Sequence, residues 1–187
     1  MPLVERIRAA SPKTKARFTG VVYLAYFLAA IAGASLVSYD VPALAFNLLS
    51  TALYALLTVM FYFMFKPVNN WVSLLAALIS FTGCIFTVIQ QLHLSRYVVS
   101  PLFFFGFYCL LLGQLILRSG FLPKVLGALL VVAGVGWLIF LLPFAKPLNT
   151  VTEIFGVIAE GALCLWLLIV GVRSTPGKDR ASRGKRV

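Results

Sequence analysis

Long apolar runs alternate with short polar breaks along the chain. Each run has about the 17–25 residues that an α-helix needs to cross the hydrocarbon core of a membrane. We therefore predict an all-α fold, a polytopic membrane protein whose domain at residues 18–172 is a bundle of six transmembrane helices. Polar, basic segments at residues 1–17 and 173–187 flank this domain. The predicted spans are residues 18–37, 44–65, 71–92, 101–117, 123–142 and 151–172.

The polar breaks contain residues that begin and end helices. Ser11-Pro12 and Ser100-Pro101 each combine a hydroxyl that can cap a helix with a proline at the first helical position. Gly120 follows the fourth run, where a left-handed residue commonly ends a helix. These signals support the same helix boundaries as the apolar runs.

Composition and charge indicate a membrane and the direction of threading. The chain is 61% hydrophobic and 11% charged, whereas soluble domains are about 45–50% apolar and about 25% charged. The net charge of +11 comes from 16 Lys and Arg residues, of which only Arg96 and Lys146 fall on the side opposite the termini. This bias predicts that both termini are cytoplasmic in a multi-pass protein of the inner (cytoplasmic) membrane. The expected partner is the lipid bilayer, and no nucleic acid is expected.

Glu160 is the sharpest chemical feature, because it places a carboxyl group near the middle of the last apolar run. A charge there costs roughly 2.5–3.5 kcal/mol even on lenient insertion scales. We therefore predict that Glu160 faces the bundle interior. Tyr54 and Thr87 are expected at similar depth, and one of them is predicted to form a hydrogen bond with it.

Two interpretations of Glu160 are open. It is either a neutral clamp between helices, or it binds a cation or proton in an outward-opening cavity. The polar residues expected to line such a cavity are Asn47, Thr51, Gln90, Gln91 and His93.

Small residues recur on two of the predicted spans. Ala25, Ala29 and Gly33 are spaced four residues apart on the first, and Gly127 and Gly134 are seven apart on the fifth. Such stripes allow neighbouring membrane helices to approach closely.

Catalytic and metal-binding patterns are missing from the sequence. The chain has one histidine, no C-x-x-C pair and no Gly-x-Ser-x-Gly, and its three cysteines lie inside apolar runs. Zinc catalysis usually needs three protein ligands. We therefore predict no enzymatic activity and no metal site, and the sequence assigns no cofactor.

The polar turn after the fourth predicted span, at residues 118–123, carries a resemblance to a known family. The chain resembles a bacterial membrane family catalogued as domain of unknown function 4386. The most specific likeness is the turn Arg-Ser-Gly-Phe-Leu-Pro at residues 118–123. The resemblance implies a six-span α-helical protein and no established activity. Further similar segments are residues 16–24, 105–106, 124–127, 133–138, 159–161 and 165–168.

These observations predict a non-enzymatic binding or accessory role, either as a subunit of a larger membrane assembly or as a binder of a lipid-like ligand. The alternative is a small-solute or proton-coupled transporter that uses Glu160.

Overall fold

The computed structural model describes residues 11–94, 99–139, 141 and 149–172. Within these residues every element is an α-helix, and each of the six predicted apolar runs coincides with one helix. Five of these helices are long and apolar enough to cross a membrane. The remaining one, the fifth in chain order, is a shorter apolar helix. The helices are α1 (Pro12–Ser35), α2 (Asp40–Phe65), α3 (Asn70–Gln91), α4 (Pro101–Ser119), α5 (Lys124–Ile139) and α6 (Asn149–Ile169).

The predicted boundary residues act largely as expected. The Ser11 hydroxyl accepts a hydrogen bond from the backbone N–H of Thr14 at 3.2 Å, which caps α1. Ser100 precedes α4 without such a bond, although Pro101 occupies the first turn. Gly120 ends α4 with φ of 66°, a left-handed conformation that glycine adopts without strain. The predictions for Ser11 and Gly120 are confirmed, whereas the predicted Ser100 cap does not form.

The six helices form a closed ring. Each helix packs against the helices before and after it in the chain, and α6 packs against α1. The Arg17 guanidinium donates a hydrogen bond to the carbonyl oxygen of Ile169 at 2.9 Å, so the start of α1 lies beside the end of α6. The first and last helices therefore run antiparallel and complete the ring.

Glycines set the closest contacts between the helices. A Cβ atom at Gly127 of α5 would lie 2.8 Å from the carbonyl oxygen of Gly113 of α4, and one at Gly134 would lie 2.8 Å from that of Gly106. A Cβ atom at Gly20 of α1 would lie 2.6 Å from a backbone nitrogen of α6. The predicted close approach along the fifth span is confirmed. Ala29 and Gly33, from the predicted stripe on α1, are also buried, and the Asn47 side chain of α2 packs against Gly33.

Large apolar side chains cover the outer surface of the bundle, and several hydroxyl groups lie buried within its apolar core. The Thr58 and Ser80 hydroxyls, both buried, form a hydrogen bond of 2.6 Å between α2 and α3. In contrast, Leu28, Leu78 and Leu165 are each more than half exposed on the outer surface. A water-soluble bundle would carry polar residues there. This distribution is typical of helices whose outer faces contact lipid.

Charged residues separate by end of the bundle within the described part of the chain. The carboxylates Asp40 and Glu153 lie at the end where α2 and α6 begin. Basic side chains occupy the opposite end, at the starts of α1 and α5 and the ends of α2 and α4. They are Lys13, Lys15, Arg17, Lys66, Arg118 and Lys124.

Candidate ligand-binding site

Glu160 lies on the inner side of α6, where side chains of α1 and α4 reach its carboxyl group. The Tyr23 hydroxyl of α1 donates a hydrogen bond to Oε2 at 3.0 Å. The Cys109 thiol of α4 lies 4.0 Å from Oε1, at the outer limit for a hydrogen bond from sulfur. Glu160 thus points into the bundle, as predicted from the free-energy cost of exposing a carboxyl group to the hydrocarbon core.

The predicted partner of Glu160 was wrong. Neither Tyr54 nor Thr87 bonds to it, and the Thr87 hydroxyl instead donates to the carbonyl oxygen of Gly83 on its own helix. Tyr23 takes the position because α6 closes the ring against α1. Depth could have indicated this residue, since Tyr23 and Glu160 both lie roughly 16–18 Å along their helices from the same end of the bundle.

A cavity of about 250 Å³ lies in front of Glu160, inside the ring. It extends from the carboxyl group towards the end of the bundle where α3 ends and α4 begins. All six helices contribute to its wall, so the ring closure creates it. Its lining residues are Tyr26, Ser50, Thr51, Tyr54, Cys84, Thr87, Gln91, Leu102, Phe105, Trp137 and Glu160.

The structure brings five of the eight predicted site residues together around this cavity: Thr51, Tyr54, Thr87, Gln91 and Glu160. The other three, Asn47, Gln90 and His93, lie outside it.

The reasons for these three exceptions are local. Gln90 is exposed, and His93 is exposed in the turn after α3 with φ of 51°. The Asn47 side chain packs against α1, while its carbonyl oxygen accepts bonds from three side chains on the cavity side. The prediction that these three side chains line the cavity was therefore wrong.

The serine, threonine and glutamine side chains of the lining donate their hydrogen atoms within the protein. The hydroxyls of Ser50, Thr51 and Thr87 donate to carbonyl oxygens of their own helices at 2.8–2.9 Å. The Gln91 Nε2 donates to the Asn47 carbonyl oxygen at 3.4 Å and to Thr51 Oγ1 at 3.3 Å. Gln91 Oε1 is buried and has no partner among the described residues. These groups consequently offer the cavity oxygen lone pairs more than hydrogen atoms.

Aromatic rings form much of the remaining wall. The Tyr54 ring lies 5.0 Å from the rings of both Tyr26 and Phe105. The Trp137 side chain of α5 also lines the cavity. It packs against Gly156 of α6, where a Cβ atom would overlap the indole ring. Sequence reasoning missed Tyr26, Phe105 and Trp137, which had been indistinguishable from packing residues.

The described residues contain no group of three or more His, Cys, Asp or Glu side chains that could hold a metal ion. Cys84, Cys109 and Cys164 are free and buried, and Cys164 lies with its sulfur 3.7 Å from the carbonyl oxygen of Gly20. The site is accordingly built from one carboxyl group, hydroxyl and amide oxygens, and aromatic rings.

Comparison with known proteins connects this bundle to a family. The sequence model described as Domain of unknown function (DUF4386) matches residues 86–171, which run from the end of α3 through α6. An uncharacterized protein of Archaeoglobus fulgidus is 33% identical over 128 residues, covering 62% of this chain and 78% of the relative. The chain belongs to the DUF4386 family. The resemblance seen in the sequence is confirmed.

The DUF4386 match contains Glu160 and Cys109, whereas Tyr23 and the α2 residues of the cavity lie before it. The family is described only as a domain of unknown function, and the relative is uncharacterized. No solved structure matches the chain. Function must therefore be inferred from the geometry of the cavity.

Proposed function

We propose that all six helices cross the cytoplasmic membrane and that both termini are cytoplasmic. The apolar outer surface supports the membrane location. The basic end of the bundle contains both termini of the described helices, which supports the orientation because cytoplasmic loops are enriched in Lys and Arg. The described α5 spans about 24 Å of the roughly 30 Å hydrocarbon core. The apolar run in the sequence continues to residue 142.

Within that membrane the protein acts as a non-enzymatic binding protein that holds a small ligand in the cavity in front of Glu160, either alone or as an accessory subunit. The observation that best supports this role is a cavity of about 250 Å³ that reaches the carboxyl group of Glu160. Protein interiors leave few voids larger than a water molecule, and a cavity of about 150 Å³ is enough to bind benzene. An interhelical clamp alone would not need this space.

Native mass spectrometry of the protein purified from membranes tests this role. Thr87 lines the cavity, and Thr82 lies on the same helix outside it; each hydroxyl bonds to a backbone carbonyl four residues earlier. We expect a bound small molecule on the wild type and on Thr82→Phe, and its loss from Thr87→Phe, where the ring fills the cavity. A wild type with no bound mass, or equal occupancy of both variants, would contradict the proposal. A second membrane protein that co-purifies would support the accessory role.

Proton-coupled transport is the second candidate. It is favoured by one observation, that Glu160 is the carboxyl group inside the described bundle and lies near the middle of its helix. Intramembrane carboxylates often form proton relays. Proteoliposomes that contain the pH dye pyranine would report proton flux under an imposed membrane potential. A transporter should lose that flux with Glu160→Gln and keep it with Glu153→Gln, which changes an exposed carboxylate on the same helix.

A further inference from the structure

We infer that the cavity selects a small organic cation, of the class of a protonated primary or secondary amine. This inference depends on the proposed ligand-binding role and names the chemistry of its ligand. Three features of the wall support it: the hydrogen-bonding character of its polar groups, its single carboxyl group, and its aromatic rings.

The polar lining is rich in acceptors. Ser50, Thr51 and Thr87 each have one hydroxyl hydrogen, and each already donates it to a backbone carbonyl. Gln91 directs its Nε2 at two protein oxygens and leaves Oε1 buried without a partner among the described residues. A buried acceptor without a donor is costly. A ligand with several N–H groups satisfies this set, whereas a ligand that only accepts hydrogen bonds does not.

The carboxyl group of Glu160 also favours a cationic ligand. Glu160 is the only Asp, Glu, His, Lys or Arg side chain among the described residues that line the cavity. Tyr23 donates to Oε2, and no protein cation forms an ion pair with Glu160 in the described bundle. An ammonium group would supply the opposite charge, which buried carboxylates require. A carboxylate or phosphate ligand would find no Lys, Arg or His side chain among the described lining residues.

The aromatic rings fit the same ligand. Tyr26, Tyr54, Phe105 and Trp137 line the cavity together with Glu160. The negative faces of aromatic rings attract ammonium groups, most strongly where water is excluded. The hydroxyls of Tyr26 and Tyr54, the Cys84 thiol and the Trp137 indole are the other hydrogen-bearing groups of the wall. An anion would meet these donors together with the Glu160 carboxyl group, and no Lys, Arg or His side chain is among the described lining residues.

The size of the cavity limits the cation. A volume of about 250 Å³ exceeds the roughly 150 Å³ that admits benzene, so one ring with a short aminomethyl group fits. A bare divalent ion fits less well, because calcium takes about 6–8 oxygen ligands, several of them usually carboxylates. The lining supplies one carboxyl group.

Three probes of one size and different charge test the inference: benzylamine, which is protonated at neutral pH, neutral benzyl alcohol, and anionic benzoate. Binding is measured at pH 7 by the rise in the unfolding temperature of the full-length protein in detergent, and confirmed by saturation-transfer NMR. We expect benzylamine to bind about tenfold or more tightly than benzyl alcohol, and benzoate to give no shift. Glu160→Gln should remove the preference for benzylamine, while Glu153→Gln should retain it.

Benzoate binding as tight as that of benzylamine, an unchanged preference in Glu160→Gln, or no benzylamine binding would each overturn the cation inference. The proposed ligand-binding role has a separate test in the mass bound to the wild type and lost from Thr87→Phe. If that mass is present and the amine preference is not, the protein binds a ligand of another class. If both are missing, the binding role fails as well. Should Glu160→Gln not fold, Thr87→Phe serves as the second variant, and it should abolish benzylamine binding.

Discussion

Replacing Gly20 by alanine is expected to strain the contact that closes the helix ring. A Cβ atom at this position of α1 would lie 2.6 Å from the backbone nitrogen of Leu168 and 2.9 Å from the carbonyl carbon of Leu167. Favourable contacts between such atoms lie at about 3.5–4.0 Å. The obstructing atoms belong to the backbone of α6, so no side-chain rotation can relieve the overlap. The two helices must move apart.

The size of the effect follows from two opposing terms. Overpacking of this kind costs about 1–3 kcal/mol, while alanine in place of a helical glycine gains about 0.8–1.0 kcal/mol in water-soluble hosts. Gly161 of α6 isolates the second term, because a Cβ atom there would meet nothing within 4 Å. We therefore expect Gly20→Ala to be about 1–3 kcal/mol less stable than Gly161→Ala.

The assay is unfolding of the purified variants by SDS titration in mixed micelles, followed by far-UV circular dichroism. Gly161→Ala should equal or exceed the wild type in free energy of unfolding, and Gly20→Ala should fall below Gly161→Ala. Separation of α1 from α6 should also weaken retention of any ligand, since Tyr23 and Glu160 lie on these two helices. Equal stability of the two variants would refute the close packing of α1 on α6.

Three further predictions concern other parts of the bundle. Gly127→Ala should be about 1–3 kcal/mol less stable than Gly161→Ala in the same titration, because its Cβ atom would press on the Gly113 backbone of α4. Thr58→Val should lose the bond to Ser80, worth about 0.6 kcal/mol and at most about 1.7 in membrane bundles, and Thr58→Ser should retain it. In intact cells, Lys66→Cys should resist a membrane-impermeant maleimide, and it should react after lysis. The wild type, whose described cysteines are buried, is the control. Labelling of Lys66→Cys before lysis would contradict the proposed orientation.

The helices could be predicted from the sequence because each depends on local information. The length of each apolar run, the cap at Ser11 and the left-handed Gly120 are all properties of neighbouring residues. Close approach at Gly127 and Gly134 was predictable too, since two glycines seven apart lie on one face of a helix.

The partner of Glu160 could not be predicted, because it depends on which helices are neighbours in the ring. Depth along the helix makes Tyr23 and Tyr54 similar candidates, and only the closure of α6 on α1 decides between them. The cavity wall raised a related difficulty. Gln90 and Gln91 are adjacent in sequence, yet the rotation of α3 exposes one and turns the other towards the cavity.

A double-mutant cycle on Tyr23 and Glu160 tests most directly whether this carboxyl group is held inside the ring by α1. The free energy of unfolding is measured for the wild type, Tyr23→Phe, Glu160→Leu, which has no acceptor for the Tyr23 hydroxyl, and the double variant. The coupling energy is the departure from additivity. We predict a coupling of about 0.6–1.7 kcal/mol, and none when Glu153→Leu replaces Glu160→Leu. Zero coupling between Tyr23 and Glu160 would contradict the placement of Glu160, and with it the cavity as a binding site.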